Sequence, residues 1–207
     1  QAAQVSVKGE NNPKTVPERL ISTLMSHRHG TPFEHNSMTF FIAAPIFVFR
    51  EWHRHRIASI NEMSGRYTVL KPRFYSVAPD RKMINIGTSM DPRMAPGTPE
   101  HYQLQIAGDE VVCQLAWDVY KSRLEAGISN ELARTILPLN IYSEMYWTVN
   151  ARSLMNFLSL RVDSPDSRVH SSPQWEIQMG AEKIEAIFAE LMPLTHDAFV
   201  RDGRVAP

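Results

Sequence analysis

A helix-rich α+β fold is predicted for this chain of 207 residues, and three observations predict it. Several segments repeat apolar residues at helical spacing, and two short runs are rich in aromatic and β-branched residues. Helix and strand do not alternate regularly as they do in a doubly wound parallel sheet. The length fits one domain over residues 1–207.

The elements follow in order. Residues 15–28 read as a helix, with Thr15 and Pro17 at its start and Val16, Leu20, Ile21 and Leu24 at helical spacing. Gly30-Thr31-Pro32 stops it, and His35 to Ala43 (HNSMTFFIA) reads as a strand. Pro45 fits the first turn of a helix carrying Phe47 to Arg56, because its ring presets φ and its missing N–H has no partner there. Residues 57–97 hold Gly65, Pro72, Pro79, Gly87, Pro92, Pro96 and Gly97, a density of breakers that predicts loops with at most short strands. Thr98-Pro99-Glu100 opens a long helix ending near Gly127, with Leu104, Val111, Val112, Leu115, Ala116, Val119, Tyr120 and Leu124 on its apolar face. Ser129 is the expected N-cap of a further helix that has Glu131 in its first turn and is bounded by Pro138. Ile141 to Val149 reads as a strand, Ala151 to Leu160 as a helix, and Gln174 to Leu191 as the last long helix.

Composition excludes several classes of function. The 22 Lys and Arg balance 22 Asp and Glu, whereas proteins that track nucleic acid carry a basic excess. The most apolar stretch, Met38 to Phe49, has 12 residues and is broken by Pro45, against about 20 for a membrane-spanning helix. A single cysteine cannot form an internal disulfide or a cysteine-rich zinc site, which points to a reducing compartment and to the cytoplasm. Cys113 falls on the apolar stripe of the long helix, the place of an inert buried thiol.

Polar chemistry concentrates at Arg50-Glu51-Trp52-His53-Arg54-His55-Arg56 and the following IASINEMSGRY. On a continuous helix Arg50 and Arg54 are i and i+4, and His53 and Arg56 are i and i+3, so the cations form two ridges. Such a cluster is either a solvated basic face or a site for an anion such as phosphate, and the apolar strand before it and the glycine loop after it favour the pocket. Metal binding by His27-x-His29 or His53-x-His55 is opposed by the fixed charge of Arg54 and Arg56. Base stacking on Trp52 is opposed by the neutral composition. Ser64 lies in NEMSGRY, which lacks the glycine-serine-glycine elbow of hydrolases. A second block, Arg134 to Arg161, sets Arg134, Asn140, Asn150, Arg152, Asn156 and Arg161 in an apolar stretch, with Arg152 and Asn156 on one helix face. These are either caps and surface arginines or amides that read the edge of a planar heterocycle.

Arg54-His55-Arg56, seven residues, then Ser64 resembles the signature of the flavin-dependent thymidylate synthases. HGTPFEH (His29 to His35), APIFV, NEMSGRY, ARTILPLN and WTVNARSLMNFLSLR resemble further segments of that family, in the family's order. The resemblance implies an FAD enzyme that methylates dUMP to dTMP, with methylenetetrahydrofolate as carbon donor and NADPH as reductant. It also implies a homotetramer of α+β subunits around a mostly antiparallel sheet, with active sites shared between subunits. Carried over by position, Thr31, Arg54, His55, Arg56, Glu62, Asn150, Arg152 and Asn156 contact FAD. Glu51, Trp52, His53, Arg54, Glu62, Met63, Ser64, Gly65, Arg66, Arg134 and Arg161 lie along the dUMP site, with Arg161 as the catalytic residue. Arginine suits that role because its charge is fixed at neutral pH and its planar fork faces a carbonyl edge. Glu51 departs from the glutamine frequent in the family; a carboxylate accepts hydrogen bonds but does not donate them. QAAQVSV resembles the tail of the family's N-terminal segment, and the strand before it is expected to be missing. The rival reading is a flavin- or nucleotide-binding regulatory module without turnover.

Overall fold

Met38–Pro45 (β1), Tyr142–Val149 (β5) and Ser59–Glu62 (β2) form a three-stranded sheet in the order β1-β5-β2. The geometry is that of a computed structural model, which describes residues 2–3 and 16–207. Thr39 bonds Thr148, Phe40 packs on Trp147 and Phe41 on Tyr146, so partner numbers fall as strand numbers rise and β1 and β5 run antiparallel. Along β5 the inward residues are Ser143, Met145, Trp147 and Val149, the period-two burial of a strand with one covered face. The chain divides into two compact units. One takes in the described residues up to Phe40, Arg54–Ser59 and Trp147–Pro207; the other takes in Phe41–His53 and Ile60–Tyr146.

The first unit is helical. Pro17–Ser26 (α1) packs on Pro193–Arg201 (α7), and Trp175–Leu191 (α6) packs on both α7 and Ala151–Arg161 (α5). Helix α5 buries Ala151, Leu154, Met155 and Leu158, and α6 buries Ile177, Ala181, Ile184 and Phe188. Steps of three and four residues are what an inward stripe requires, and each large side chain so buried stabilises by about 1.5–3 kcal/mol. The α5 N-terminus is closed twice: Asn150 Oδ1 accepts from Ser153 N at 2.9 Å, and Asn36 Oδ1 accepts from Ala151 N at 2.8 Å. Glu185 of α6 accepts both Arg204 guanidinium nitrogens, at 2.6 and 2.7 Å, and meets His196 Nε2 at 2.9 Å. Burial works to raise the Glu185 carboxyl, but the hydrogen bonds from Arg204 and His196 prevail and hold it below the ordinary carboxylate range.

The second unit holds Ile46–Trp52 (α2), the antiparallel pair Lys82–Asn85 (β3) and Met94–Pro96 (β4), Pro99–Glu125 (α3) and Asn130–Ala133 (α4). Thr98 and His101 form a capping box at the start of α3, each side chain bonding the other's backbone N–H. Tyr120, fully buried, accepts a hydrogen bond from Leu70 N at 3.0 Å and so ties the loop region to the helix.

Several expectations are corrected. Helix α2 stops at Trp52 instead of reaching Arg56, so Arg54 and Arg56 lie beyond it and the two cationic ridges do not form. Like charges at i, i+4 oppose helix there. Pro45 is the extended N-cap of α2, at ψ 149°, and not a residue of its first turn. The strand expected from His35 begins at Met38, because Thr31–Glu34 winds into a 3-10 turn. Of the expected apolar face of α3, Leu104, Val111, Val112 and Leu115 are exposed, and the buried residues are Cys113, Ala116 and Tyr120. Ser129 stands at the N-cap of α4, but its side chain makes no capping bond, and α4 gives way after one turn to a 3-10 turn at Arg134–Ile136. Helix α7 follows Gln174 to Leu191, the last long helix expected from the sequence, with Pro193 at its first position. Thr15 and most of QAAQVSV lie outside the described residues.

Candidate functional site

In the first unit Arg54, His55, Arg56, Arg152, Asn156 and Arg161 line one cavity of about 580 Å³, within the range of about 300–1,000 Å³ typical of small-molecule clefts. Its charge is lopsided. Four arginines, Arg54, Arg56, Arg152 and Arg161, line it together with a single acidic residue, Glu34. Two chain segments far apart in sequence supply these cations: the turn and loop after α2 and the exposed face of α5, where Arg152 and Asn156 are one turn apart. An anion with several phosphate oxygens matches this donor set, since arginine forks pair with phosphate through parallel N–H bonds.

Arg152 is held on three sides. Its Nη1 bonds Glu34 Oε1, and its Nε donates to the Pro207 carbonyl at 2.8 Å. Its stem passes over Gly30 so closely that a β-carbon there would lie 2.4 Å from Nε. Arg161, the last residue of α5, donates from Nε to His55 Nε2 at 3.0 Å. The His55 ring meets the buried Phe157 edge-on, with centroids 4.8 Å apart, and Phe157 in turn lies 5.0 Å from buried Trp147. Thr31, itself exposed, opens the 3-10 turn that carries Glu34, and Asn150 caps α5.

The second unit gathers the remaining candidates. Trp52 is buried at the end of α2, Glu51 is half-buried beside it, and His53 forms the C-cap with its ring stacked on Phe49 at 6.0 Å. Glu62 accepts from Ser143 Oγ at 2.7 Å, and its other oxygen lies 3.8 Å from His53 Nε2. Met63 N donates to Glu144 O at 2.8 Å, anchoring the loop after β2. Ser64 organises that loop: its carbonyl accepts from Tyr67 N and Thr68 N, and its hydroxyl accepts from Arg66 N at 3.3 Å. This is a turn-forming serine. Arg66 is paired with Glu131 at 3.1 Å. Gly65 is buried because Arg134 lies across it, and a β-carbon there would come within 3.2 Å of Arg134 Cδ. Ser64, Gly65 and Arg134 thus form one polar patch. Tyr67 beside it is 79% exposed, available to a ligand.

Sequence reasoning missed Glu34, Ala206 and Pro207 at the cavity wall, and Ser143, the partner of Glu62 in the second unit. Glu34 stands in HGTPFEH, but nothing in its spacing ties it to an arginine 118 positions away. Cys113 is buried, its sulfur 3.1 Å from Asn140 Nδ2, and it lines neither cluster.

A family model described as thymidylate synthase complementing protein (Thy1) matches residues 1–194. The flavin-dependent thymidylate synthase of Tropheryma whipplei strain TW08/27 is 55% identical over 188 residues, covering 91% of this chain and 78% of that protein. The enzyme of the same description from Streptomyces coelicolor is 51% identical over 213 aligned positions, covering 100% of this chain and 87% of that protein. Among solved structures, a UMP/dUMP methylase, PolB from Streptomyces cacaoi bound with 5-Br UMP, superposes with a TM-score of 0.92 at 43% identity, covering 100% of this chain and 89% of that one.

Proposed function

The chain belongs to the thymidylate synthase complementing protein family, and from that premise we propose that it is an FAD-dependent enzyme that methylates dUMP to dTMP. Methylenetetrahydrofolate is the carbon donor and NADPH the reductant. The observation that carries the reading is the cavity lined by four arginines and one acidic residue, since FAD brings a pyrophosphate and dUMP a phosphate. FAD, when bound, supplies the redox chemistry that converts the transferred carbon to a methyl group.

The chain's own residues bind, orient and polarise. Arg54, His55, Arg56, Arg152 and Asn156 hold FAD in the cavity, with Thr31 and Asn150 at its margins and Glu62 as a further contact. Glu51, Trp52, His53, Arg54, Glu62, Met63, Ser64, Gly65, Arg66, Arg134 and Arg161 serve dUMP. Arg134 offers a cation to its phosphate, and the Ser64 hydroxyl, which accepts from Arg66 N, offers its own proton. Arg161 stabilises the uracil with its ring nitrogen deprotonated, which pushes electron density toward the carbon that must attack. No thiol takes part, in keeping with a cysteine buried away from both clusters. Assembly is a homotetramer with active sites drawing on more than one subunit, and the exposed apolar residues of α3, Leu104, Val111, Val112 and Leu115, supply contact surface for it. Among the described residues no helix is long and apolar enough to cross a membrane. The single cysteine suits a reducing compartment, and the cytoplasm is the location we propose. We treat residues 1–207 as one thymidylate synthase domain.

The test is Arg161→Ala. dTMP formation is expected to fall by about 10²–10³-fold or more, while FAD binding and NADPH-dependent oxygen consumption survive. Thymidylate formation near the wild-type rate would remove Arg161 from the catalytic role.

A further inference from the structure

Arg161 can stabilise a uracil anion only if the plane of its guanidinium is fixed. The nitrogen that fixes it is Nε, at the root of the fork, because a bond there sets the last torsion of the side chain. That nitrogen donates to His55 Nε2 at 3.0 Å. An arginine N–H has no acceptor capacity, so His55 Nε2 must present its lone pair, which makes the imidazole neutral with its proton on Nδ1. The ring is itself braced: Phe157 meets it edge-on at 4.8 Å, and Phe157 is fully buried against Trp147. Phe157 and Arg161 are i and i+4 on α5, so one face of that helix presents both the brace and the cation to the same imidazole.

We propose that His55, beyond any contact with FAD, is a positioning residue that orients the Arg161 guanidinium by accepting from its Nε. The inference rests on Arg161 being the residue that faces the uracil. Misplacement of a catalytic group by about 1 Å costs on the order of 10²-fold in rate, which sets the expected effect.

The experiment compares His55→Phe and His55→Gln at saturating FAD, each alone and combined with Arg161→Lys, reading kcat and KM for dUMP. Lysine keeps a cation but lacks the fork nitrogen that His55 holds. Phenylalanine keeps the ring but cannot accept, so kcat is expected to fall about 10²-fold with KM within about threefold. Glutamine, whose amide oxygen accepts, is expected to recover about tenfold of that loss. In the Arg161→Lys background His55→Phe is expected to cost less than about threefold more, because the pair acts as one unit. The proposal is overturned by wild-type kcat in His55→Phe, by a loss that extra FAD restores, by no recovery with glutamine, or by full additivity with Arg161→Lys. Near-normal activity of Arg161→Lys and Arg161→Ala alone would instead remove the premise about Arg161.

Discussion

Replacing Gly30 with alanine separates binding from stability. Gly30 is buried at φ −74° and ψ −36°, values that any residue adopts, so the backbone tolerates the change. The new methyl would lie 2.4 Å from Arg152 Nε, 2.6 Å from Cζ and 3.0 Å from Cδ, where ordinary contact distances are about 3.5–4.0 Å. The Arg152 head must therefore move by about 1 Å, and it gives up its bonds to Glu34 and to the Pro207 carbonyl. That head is the far end of a flexible side chain which is 45% exposed, so folding loses only about 1 kcal/mol, or about 2–4 °C in Tm. For the cofactor the loss is larger. A hydrogen bond to a charged group contributes about 1.5–3 kcal/mol, and at 1.4 kcal/mol per decade FAD should bind about 10–100-fold more weakly. Flavin fluorescence titration of the apoprotein, paired with a thermal melt, reads both quantities. An FAD Kd within about twofold of wild type would refute the assignment of Arg152 to the flavin. A loss of several kcal/mol in stability would refute the claim that Arg152 is free to swing aside.

Further outcomes follow from the same geometry. Glu185→Ala leaves Arg204, with its side chain 5% exposed, as an unpaired buried cation and should destabilise by about 3–5 kcal/mol in denaturant unfolding. The Glu185 carboxyl is held below its ordinary range in the fold, so its contribution is present above the unfolded value of about 4.3 and is lost as pH falls through the lower folded value. The acid limb of the stability curve should accordingly be shallower in Glu185→Gln. Cys113→Ala should leave kcat within about twofold at a cost of about 1 kcal/mol in stability, because the thiol is buried and contacts Asn140; a large loss of kcat would return a thiol to the mechanism.

How much was legible in the sequence depends on whether local chemistry or distant packing decides. Helix α5 was read within one residue because Asn150 caps it and its apolar residues repeat at helical spacing. Strand β5 was read within one residue, Ile141 to Val149 against Tyr142–Val149, and its period-two burial is what the structure adds. The end of α2 was not: periodicity carried it to Arg56, while crowded like charges turn the chain at His53. Releasing Arg54, His55 and Arg56 from the helix is what lets them line the cavity beside Arg152 and Arg161. The stripe on α3 showed that a face is apolar, but not that this chain leaves Leu104, Val111, Val112 and Leu115 exposed. The motif blocks picked out the arginines, whereas the Glu34 to Arg152 and His55 to Arg161 pairings join segments more than a hundred residues apart and exist only in three dimensions.

The central claim is methyl transfer to dUMP, and methylation replaces the hydrogen on the carbon that attacks. Tritium release from dUMP labelled at that carbon, in the presence of FAD, methylenetetrahydrofolate and NADPH, therefore tests it directly. Release matched by dTMP formation is expected, and it should be abolished when FAD, NADPH or methylenetetrahydrofolate is omitted. Tight binding of dUMP and FAD with no release and no dTMP would contradict it and leave a nucleotide-binding module in its place.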